Sequence, residues 1–262
     1  MCRLLAYLGS PITVDRFIEK PEHSLIAQSY QPREMTAGLL NADGFGLGWY
    51  HPEREDLPYI YRNTHPIWSD TNLGHLTRYI ESGCVLASVR SATPGLPVDL
   101  SNCQPFRHGQ ILGLHNGFID NFRHTLYRQM RSALTDPYYS LIQGVTDSEH
   151  LFAYTLNQQA EQGSSLSEAL ALSLRNVMDW ALASGVGAAL NLIFSDGKTL
   201  VASRCGTRRP MPSLYWLQDD PQFPEAVFIA SEPIFASEGW RSFPEQSILS
   251  VGQNREIQLF QI

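Results

Sequence analysis

A strand-forming run begins at the third residue of this 262-residue chain. Arg3-Leu4-Leu5-Ala6-Tyr7-Leu8-Gly9 is mostly apolar and ties the N-terminus into a sheet at once. Cys2 therefore sits at the root of a strand and not on a free tail. With Met1 removed, Cys2 carries a thiol and a free α-amine on one Cα. The thiolate is the nucleophilic form, and at an ordinary cysteine pKa of about 8.5 only a few per cent of it is present at neutral pH. The α-amine titrates near about 7.7–8.0 and can serve as the base. One residue then supplies both nucleophile and base. The competing reading of any single cysteine is a small buried hydrophobe.

Composition narrows the partners. The chain is 43% hydrophobic, enough to bury a sizeable core in one domain. A formal net charge of −7 and a pI near 5.6 lack the basic footprint of nucleic-acid binding. Cys2, Cys84, Cys103 and Cys205 form no C-x-x-C pair, so neither a zinc knuckle nor a disulfide framework is expected, and the compartment reads as reducing and cytoplasmic. The N-terminus has no basic region followed by an apolar stretch, and no apolar run approaches the about 20 residues of a membrane span. Neither secretion nor a membrane is expected. The eight histidines show no H-E-x-x-H or clustered His/Cys spacing, and no P-loop is present, so no metal and no organic cofactor are expected.

Along the chain, Pro21–Gln31 reads as a helix, and Asn41–Tyr50 as a glycine-punctuated turn entering a strand. Gly44, Gly46 and Gly48 match neither G-x-G-x-x-G nor a Walker loop, and a tight backbone approach explains them better than a phosphate. Leu57–Arg62 is a short strand, Asn72–Ser82 a helix and Cys84–Val89 a strand; Ser91–Phe106, with Pro94, Gly95, Pro97 and Pro105, is a loop. Gln110–Leu114 is a strand running into His115-Asn116-Gly117, Ile119–Leu134 has helical spacing, and His150–Gln159 is a helix. Ser165 and Glu168 form a capping box before a long helix. From Gly187 the pattern turns to strands, at Ala188–Ser195, Thr199–Ser203, Leu214–Gln218, Ala226–Ala230, Ser247–Val251 and Ile257–Phe260, with Asp196-Gly197 a hairpin signal. With no repeat and no low-complexity linker, the chain reads as one α+β domain.

Several polar points stand out against this background, and each is ambiguous alone. Arg90 ends an apolar strand; its planar fork suits a carboxylate, although a strand-end arginine in water is commoner. Asn116 and Gly117 offer a side-chain amide and a backbone N–H to an oxyanion, the main electrostatic need of acyl transfer. Asn-Gly is also a leading hairpin dipeptide. Asp147 can hold an ammonium group or simply cap a helix.

Together, Cys2, Arg90 in Val89-Arg90-Ser91, Asn102-Cys103-Gln104-Pro105-Phe106, His115-Asn116-Gly117 and Thr146-Asp147-Ser148-Glu149 resemble, in order, the class II glutamine amidotransferase domains. That family belongs to the N-terminal-nucleophile hydrolases. The motifs span roughly residues 2–150 and the resemblance most of the chain. The opening Met1–Gly9 and the Asn41–Tyr50 segment are most similar to stand-alone γ-glutamyl hydrolases, among them the ergothioneine-pathway enzyme acting on γ-glutamyl-hercynylcysteine sulfoxide and relatives in glutathione breakdown.

The resemblance implies a four-layer αββα sandwich forming a single domain over 2–262, with the late strands supplying much of the second sheet. It implies Cys2 as nucleophile, Asn116 and Gly117 as oxyanion donors, Arg90 on the substrate α-carboxylate and Asp147 on its α-ammonium, with Ser231 of Ser231-Glu232-Pro233 bordering the site. The implied partner is a small γ-glutamyl substrate, with self-association left open. A partner synthase is implied only under the alternative of a glutaminase subunit, since no residues remain here for an attached synthase. An inactive glutamate-binding scaffold is the alternative outside enzymes.

Overall fold

The structure is a computed structural model and describes residues 2–35, 38–92 and 95–262; Met1, and Pro94 in the loop expected at 91–106, lie outside the described residues. The chain runs β1 (Arg3–Thr13), α1 (Asp15–Ile18), α2 (Leu25–Tyr30), β2 (Phe45–His51), β3 (Glu55–Asn63), α3 (Leu73–Thr77) and β4 (Glu81–Val89). It continues through β5 (Phe106–His108), β6 (Ile111–Ile119), α4 (Tyr127–Ser132), α5 (Asp136–Leu141), α6 (Asp147–Gln162) and α7 (Leu166–Ala183). Seven strands close the described chain: β7 (Ala188–Ser195), β8 (Leu200–Gly206), β9 (Tyr215–Asp220), β10 (Phe223–Ala230), β11 (Arg241–Ser242), β12 (Ser247–Val251) and β13 (Ile257–Gln261).

Side-chain alternation along β1 explains the layers. In a strand, successive side chains point to opposite faces. Leu4, Ala6 and Leu8 join Leu112, Leu114 and Ile193 in a core between two sheets. Leu5 and Tyr7 face outward onto Val14, Phe17, Ile18 and Leu25 of the α1–α2 region. There Tyr7, Phe17 and Phe228 pack with ring centroids 4.9–5.9 Å apart, a geometry worth about 0.5–1.5 kcal/mol per pair beyond area burial. A third core buries Leu190, Leu192 and Phe194 of β7 against Phe152, Leu170, Leu174 and Val177 of α6 and α7. The result is helix, sheet, sheet, helix. One sheet has seven strands in the order β11-β9-β10-β1-β4-β2-β3, and the other six in the order β13-β12-β8-β7-β6-β5. All the pairings between these strands are antiparallel.

The expected late strands divide between the two sheets. β7, β8, β12 and β13 build the second sheet, while β9, β10 and β11 complete the first. Two expected helices are corrected. Asn72–Ser82 is helical only at Leu73–Thr77, because Ser82 and Glu81 pair with Ile12 and Thr13 as the start of β4. Ile119–Leu134 is helical only at Tyr127–Ser132. Ile119, Phe122, Leu126 and Met130 all reach the α6–α7 core, but Asn121 at φ 49° interrupts the path and a 3-10 turn carries Phe122 there. Helix α2 starts late, after Ser24, whose hydroxyl accepts from Ala27 N–H at 3.3 Å. The capping box at α7 forms as expected, with Ser165 Oγ accepting from Glu168 N–H and the Glu168 carboxylate accepting from Ser165 N–H. Gly46 also fits the close-approach reading, since a Cβ there would meet the Gln104 carbonyl oxygen at 2.2 Å.

Candidate active site

The ends of β1, β4 and β10 carry Cys2, Arg90 and Ser231. Arg3 pairs with Val89 in the β1–β4 register, so Cys2 and Arg90 are neighbours across the two strand ends. Cys2 has the same parity as Leu4 and Ala6, and it packs at the margin of the inter-sheet core, partly exposed. The other three thiols are buried. Burial pushes Cys84 and Cys205 up to about 12 and Cys103 upward as well, so none of them offers thiolate near neutrality.

Arg90 is 5% exposed, and its guanidinium donates to the carbonyl oxygens of Asp43 (3.2 Å) and Pro97 (3.4 Å). Those two bonds use part of a five-donor fork, and the remainder can grip a carboxylate. Ser231 follows β10 on the other side of β1. Its N–H donates to Leu4 O, and its hydroxyl accepts from Leu4 N–H, both at 2.9 Å. Ser231 is fully buried, so it clasps the strand that carries Cys2.

The second sheet contributes β6. A short relay joins it to the first: Ser88 Oγ donates to Gln104 O at 3.2 Å, and the Gln104 side chain bonds both backbone groups of His115. Gln104 acts here as a one-residue strand partner, because β5 pairs β6 only as far as Gly113. The next residue is Asn116. It lies in mid-strand, so the hairpin-turn reading of Asn-Gly does not apply. Its parity matches Leu112 and Leu114, which aims the side chain between the sheets toward the Cys2 layer. Asn116 is 0% exposed, yet among the described residues neither Nδ2 nor Oδ1 has a hydrogen-bond partner. Burying such an amide unpaired costs about 1–3 kcal/mol. Unsatisfied groups of this kind call for an explanation, and a catalytic role is one.

Gly117 follows for two reasons. A Cβ there would lie 1.8 Å from the Ala189 carbonyl oxygen, so only glycine fits. Its N–H shares an edge with those of His115 and Ile119, since alternate residues of a strand donate to the same side. Gln104 takes the first, and the Asp147 carboxylate takes the second at 2.8 Å. Between them β5 has ended, which leaves the Gly117 N–H open on that edge.

Asp147 begins α6, after the Thr146 cap, and its other oxygen accepts from Ser148 N–H at 2.8 Å. Its carboxylate is thereby oriented, with lone pairs to spare for a cation. Beneath it His115 is 1% exposed, and burial pushes its pKa down. Nε2 faces the Ala189 carbonyl at 3.1 Å and must donate, so Nδ1 accepts from Ser148 Oγ at 2.9 Å in a neutral ring.

His150 is a second buried neutral imidazole. Burial lowers it to about 4, against the opposing bond from Nδ1 to Thr146 O at 2.7 Å. Its unfolded value is about 6.5, so the unfolded chain binds the proton first as pH falls. Stability from this residue is therefore complete above about 6.5 and is lost down to about 4, each unit of separation being worth about 1.4 kcal/mol at full effect. The urea midpoint is expected to be lower at pH 5 than at pH 7, and His150→Gln is expected to shrink that difference. An unchanged difference in the variant would show that His150 is not its source.

Three contributors were not singled out as site residues from the sequence. Arg3 is fully buried; its Nε donates to Cys2 O at 2.8 Å and Nη1 to Glu232 at 2.9 Å. Glu232 also accepts from His23 Nε2 (2.7 Å) and from the N–H groups of Arg33 (2.9 Å) and Glu34 (3.1 Å). Burial alone would raise this carboxyl, but these bonds and the Arg3 charge hold it down at about 2. The signal in the sequence is a charged residue at the outward parity of an otherwise apolar strand, which demands a buried partner.

Residues 1–232 match the family of class-II glutamine amidotransferases, and the chain belongs to that family. A γ-glutamyl-hercynylcysteine sulfoxide hydrolase of Mycolicibacterium smegmatis is 31% identical, over 96% of each chain. A probable glutamine amidotransferase of Saccharomyces cerevisiae is 30% identical, over 96% of this chain and 82% of its own. Among solved structures, a class-II glutamine aminotransferase domain protein of Silicibacter pomeroyi superimposes with a TM-score of 0.71 at 25% identity, covering 99% of both chains. The fold is the αββα sandwich of N-terminal-nucleophile hydrolases. No helix among the described residues is long and apolar enough to cross a membrane.

Proposed function

We propose that the protein hydrolyses a γ-glutamyl amide with Cys2 as nucleophile, releasing glutamate, and that its substrate is γ-glutamyl-hercynylcysteine sulfoxide. The observation that carries the chemistry is the fully buried, unpartnered Asn116 amide facing the layer that holds Cys2. The substrate reading rests on full-length similarity to hydrolases of that name.

With Met1 removed, the Cys2 amine takes the thiol proton, and the thiolate adds to the γ-carbonyl carbon. The carbonyl oxygen gains a negative charge, which Asn116 Nδ2–H and Gly117 N–H receive. Collapse breaks the C–N bond, and the amine leaves with the proton returned by the Cys2 amine. Water then attacks the thioester, and glutamate departs. Arg90 holds the α-carboxylate and Asp147 the α-ammonium, which concentrates recognition on the glutamyl end. Ser231 acts at one remove, by fixing Leu4. No step draws on a metal or an organic cofactor.

The similarity to the yeast amidotransferase makes glutamine a competing substrate, and glutathione is a further γ-glutamyl amide. The test is glutamate release from γ-glutamyl-hercynylcysteine sulfoxide, glutathione and glutamine, using protein whose mass shows loss of Met1. Turnover concentrated on the sulfoxide is expected. Preference for glutathione would reassign the leaving group, and preference for glutamine would make the chain an ammonia-donating subunit. Silence on all three would leave a glutamate-binding protein.

A further inference from the structure

Asn191 lies directly across β6–β7 from Asn116 in the register of the second sheet. Both residues are 0% exposed, and both share the face of Leu114 and Ile193, whose side chains fill the inter-sheet core. Directly opposed residues of an antiparallel pair hold their Cβ atoms about 4.5–5.5 Å apart, within reach of two short amides. Asn191 Nδ2 donates to the carbonyl oxygens of Pro212 (3.1 Å) and Ser213 (3.3 Å). Arg204 Nε also donates to Pro212 O at 3.0 Å, so the anchor of this amide is itself held. With Nδ2 fixed on that loop, Oδ1 is the atom turned away from it, and it has no partner among the described residues. Two facing asparagines therefore bury three unpartnered amide atoms among apolar neighbours.

We propose that Asn191 is a positioning residue for Asn116, its Oδ1 accepting one Nδ2 hydrogen of Asn116 so that the other points at the substrate oxyanion. This rests on the reading of Asn116 as an oxyanion donor. The chemistry requires such a device. Asn116 presents a donor and an acceptor of nearly equal size on one terminal torsion, and that torsion is soft. The wrong orientation would set Oδ1 against the developing negative charge. An acceptor-only atom beside the amide selects the orientation with Nδ2 inward, and Asn191 Oδ1 is such an atom. The two amides are not bonded to each other here, and in this proposal rotation about their soft terminal torsions brings them together as substrate binds.

The test is a double-mutant cycle on glutamate release, with kcat and KM measured for wild type, Asn116→Ala, Asn191→Ala and both together. Asn191→Leu, which fills the same volume without an amide, replaces Asn191→Ala if the smaller side chain destabilises the sheet. Asn116→Ala is expected to lower kcat by about 10²–10³. Asn191→Ala is expected to lower kcat about tenfold or more through misorientation alone, with KM nearly unchanged. In the Asn116→Ala background the Asn191 substitution is expected to change kcat by no more than about twofold. An equal loss in both backgrounds would mean that Asn191 acts on the fold and not through Asn116, and would overturn the proposal. So would an Asn191 substitution without effect in the wild-type background. A silent Asn116→Ala would instead remove the oxyanion reading itself, and the proposal with it.

Discussion

Cys2→Ala is expected to abolish glutamate release while leaving the fold unchanged. Removing the nucleophile removes the covalent route, and in hydrolases that work this way the loss is on the order of 10⁶ in kcat. The other three thiols cannot take over. Cys84 and Cys205 are buried with pKa values pushed up to about 12, and the Cys103 thiol is buried and raised too. Stability should survive because Cys2 precedes β1 and packs only at the margin of the inter-sheet core. The strand is held from Leu4 onward by Ser231 and by its ladders to β4 and β10. The measurements are turnover and a thermal melt of the variant, with iodoacetamide labelling of the wild type as a companion. Residual turnover above about one hundredth of wild type, with the fold intact, would move the nucleophile elsewhere.

How much of this was legible in the sequence depended on how local the deciding physics is. The α7 capping box, the Asp196-Gly197 turn and the strands Ala188–Ser195 and Ser247–Val251 rest on neighbouring residues, and they form where they read. Ile119–Leu134 failed because apolar residues at helical spacing also suit successive turns that feed one core. Only the left-handed Asn121 separates the two cases, and helical spacing does not reveal it. Ser82 is a strand residue because Ile12 pairs with it from seventy positions earlier in the chain. At the site, the order of the motifs pointed to Cys2, Arg90, Asn116, Gly117 and Asp147; Cys2 and Arg90 lie at strand ends, Asn116 and Gly117 inside β6, and Asp147 at the start of α6. The supports of those residues were not legible. Arg3–Glu232 spans 229 positions and Asn116–Asn191 is a register pair, so neither leaves a spacing that a single sequence reveals.

Glu232→Ala is expected to destabilise the protein by about 3–5 kcal/mol, the usual cost of removing one partner from a buried ion pair. The side chains of Arg3 and Glu232 are 0% and 1% exposed, so solvent cannot compensate the guanidinium left behind. The same carboxylate also seats His23 and the backbone of Arg33 and Glu34, and those donors would lose their acceptor together. For a domain of this size, about 2–4 °C of melting temperature accompanies each kcal/mol. Because Arg3 Nε also donates to the carbonyl oxygen of Cys2, turnover should fall in the variant even below its melting point. The double replacement Arg3→Met with Glu232→Leu separates the two roles. Apolar side chains of similar volume commonly match or exceed a buried pair in stability. The double variant should therefore recover much of the melting temperature without recovering kcat, because the bond that fixes the Cys2 carbonyl is gone. Recovery of both would make the pair a packing element with no hold on the nucleophile.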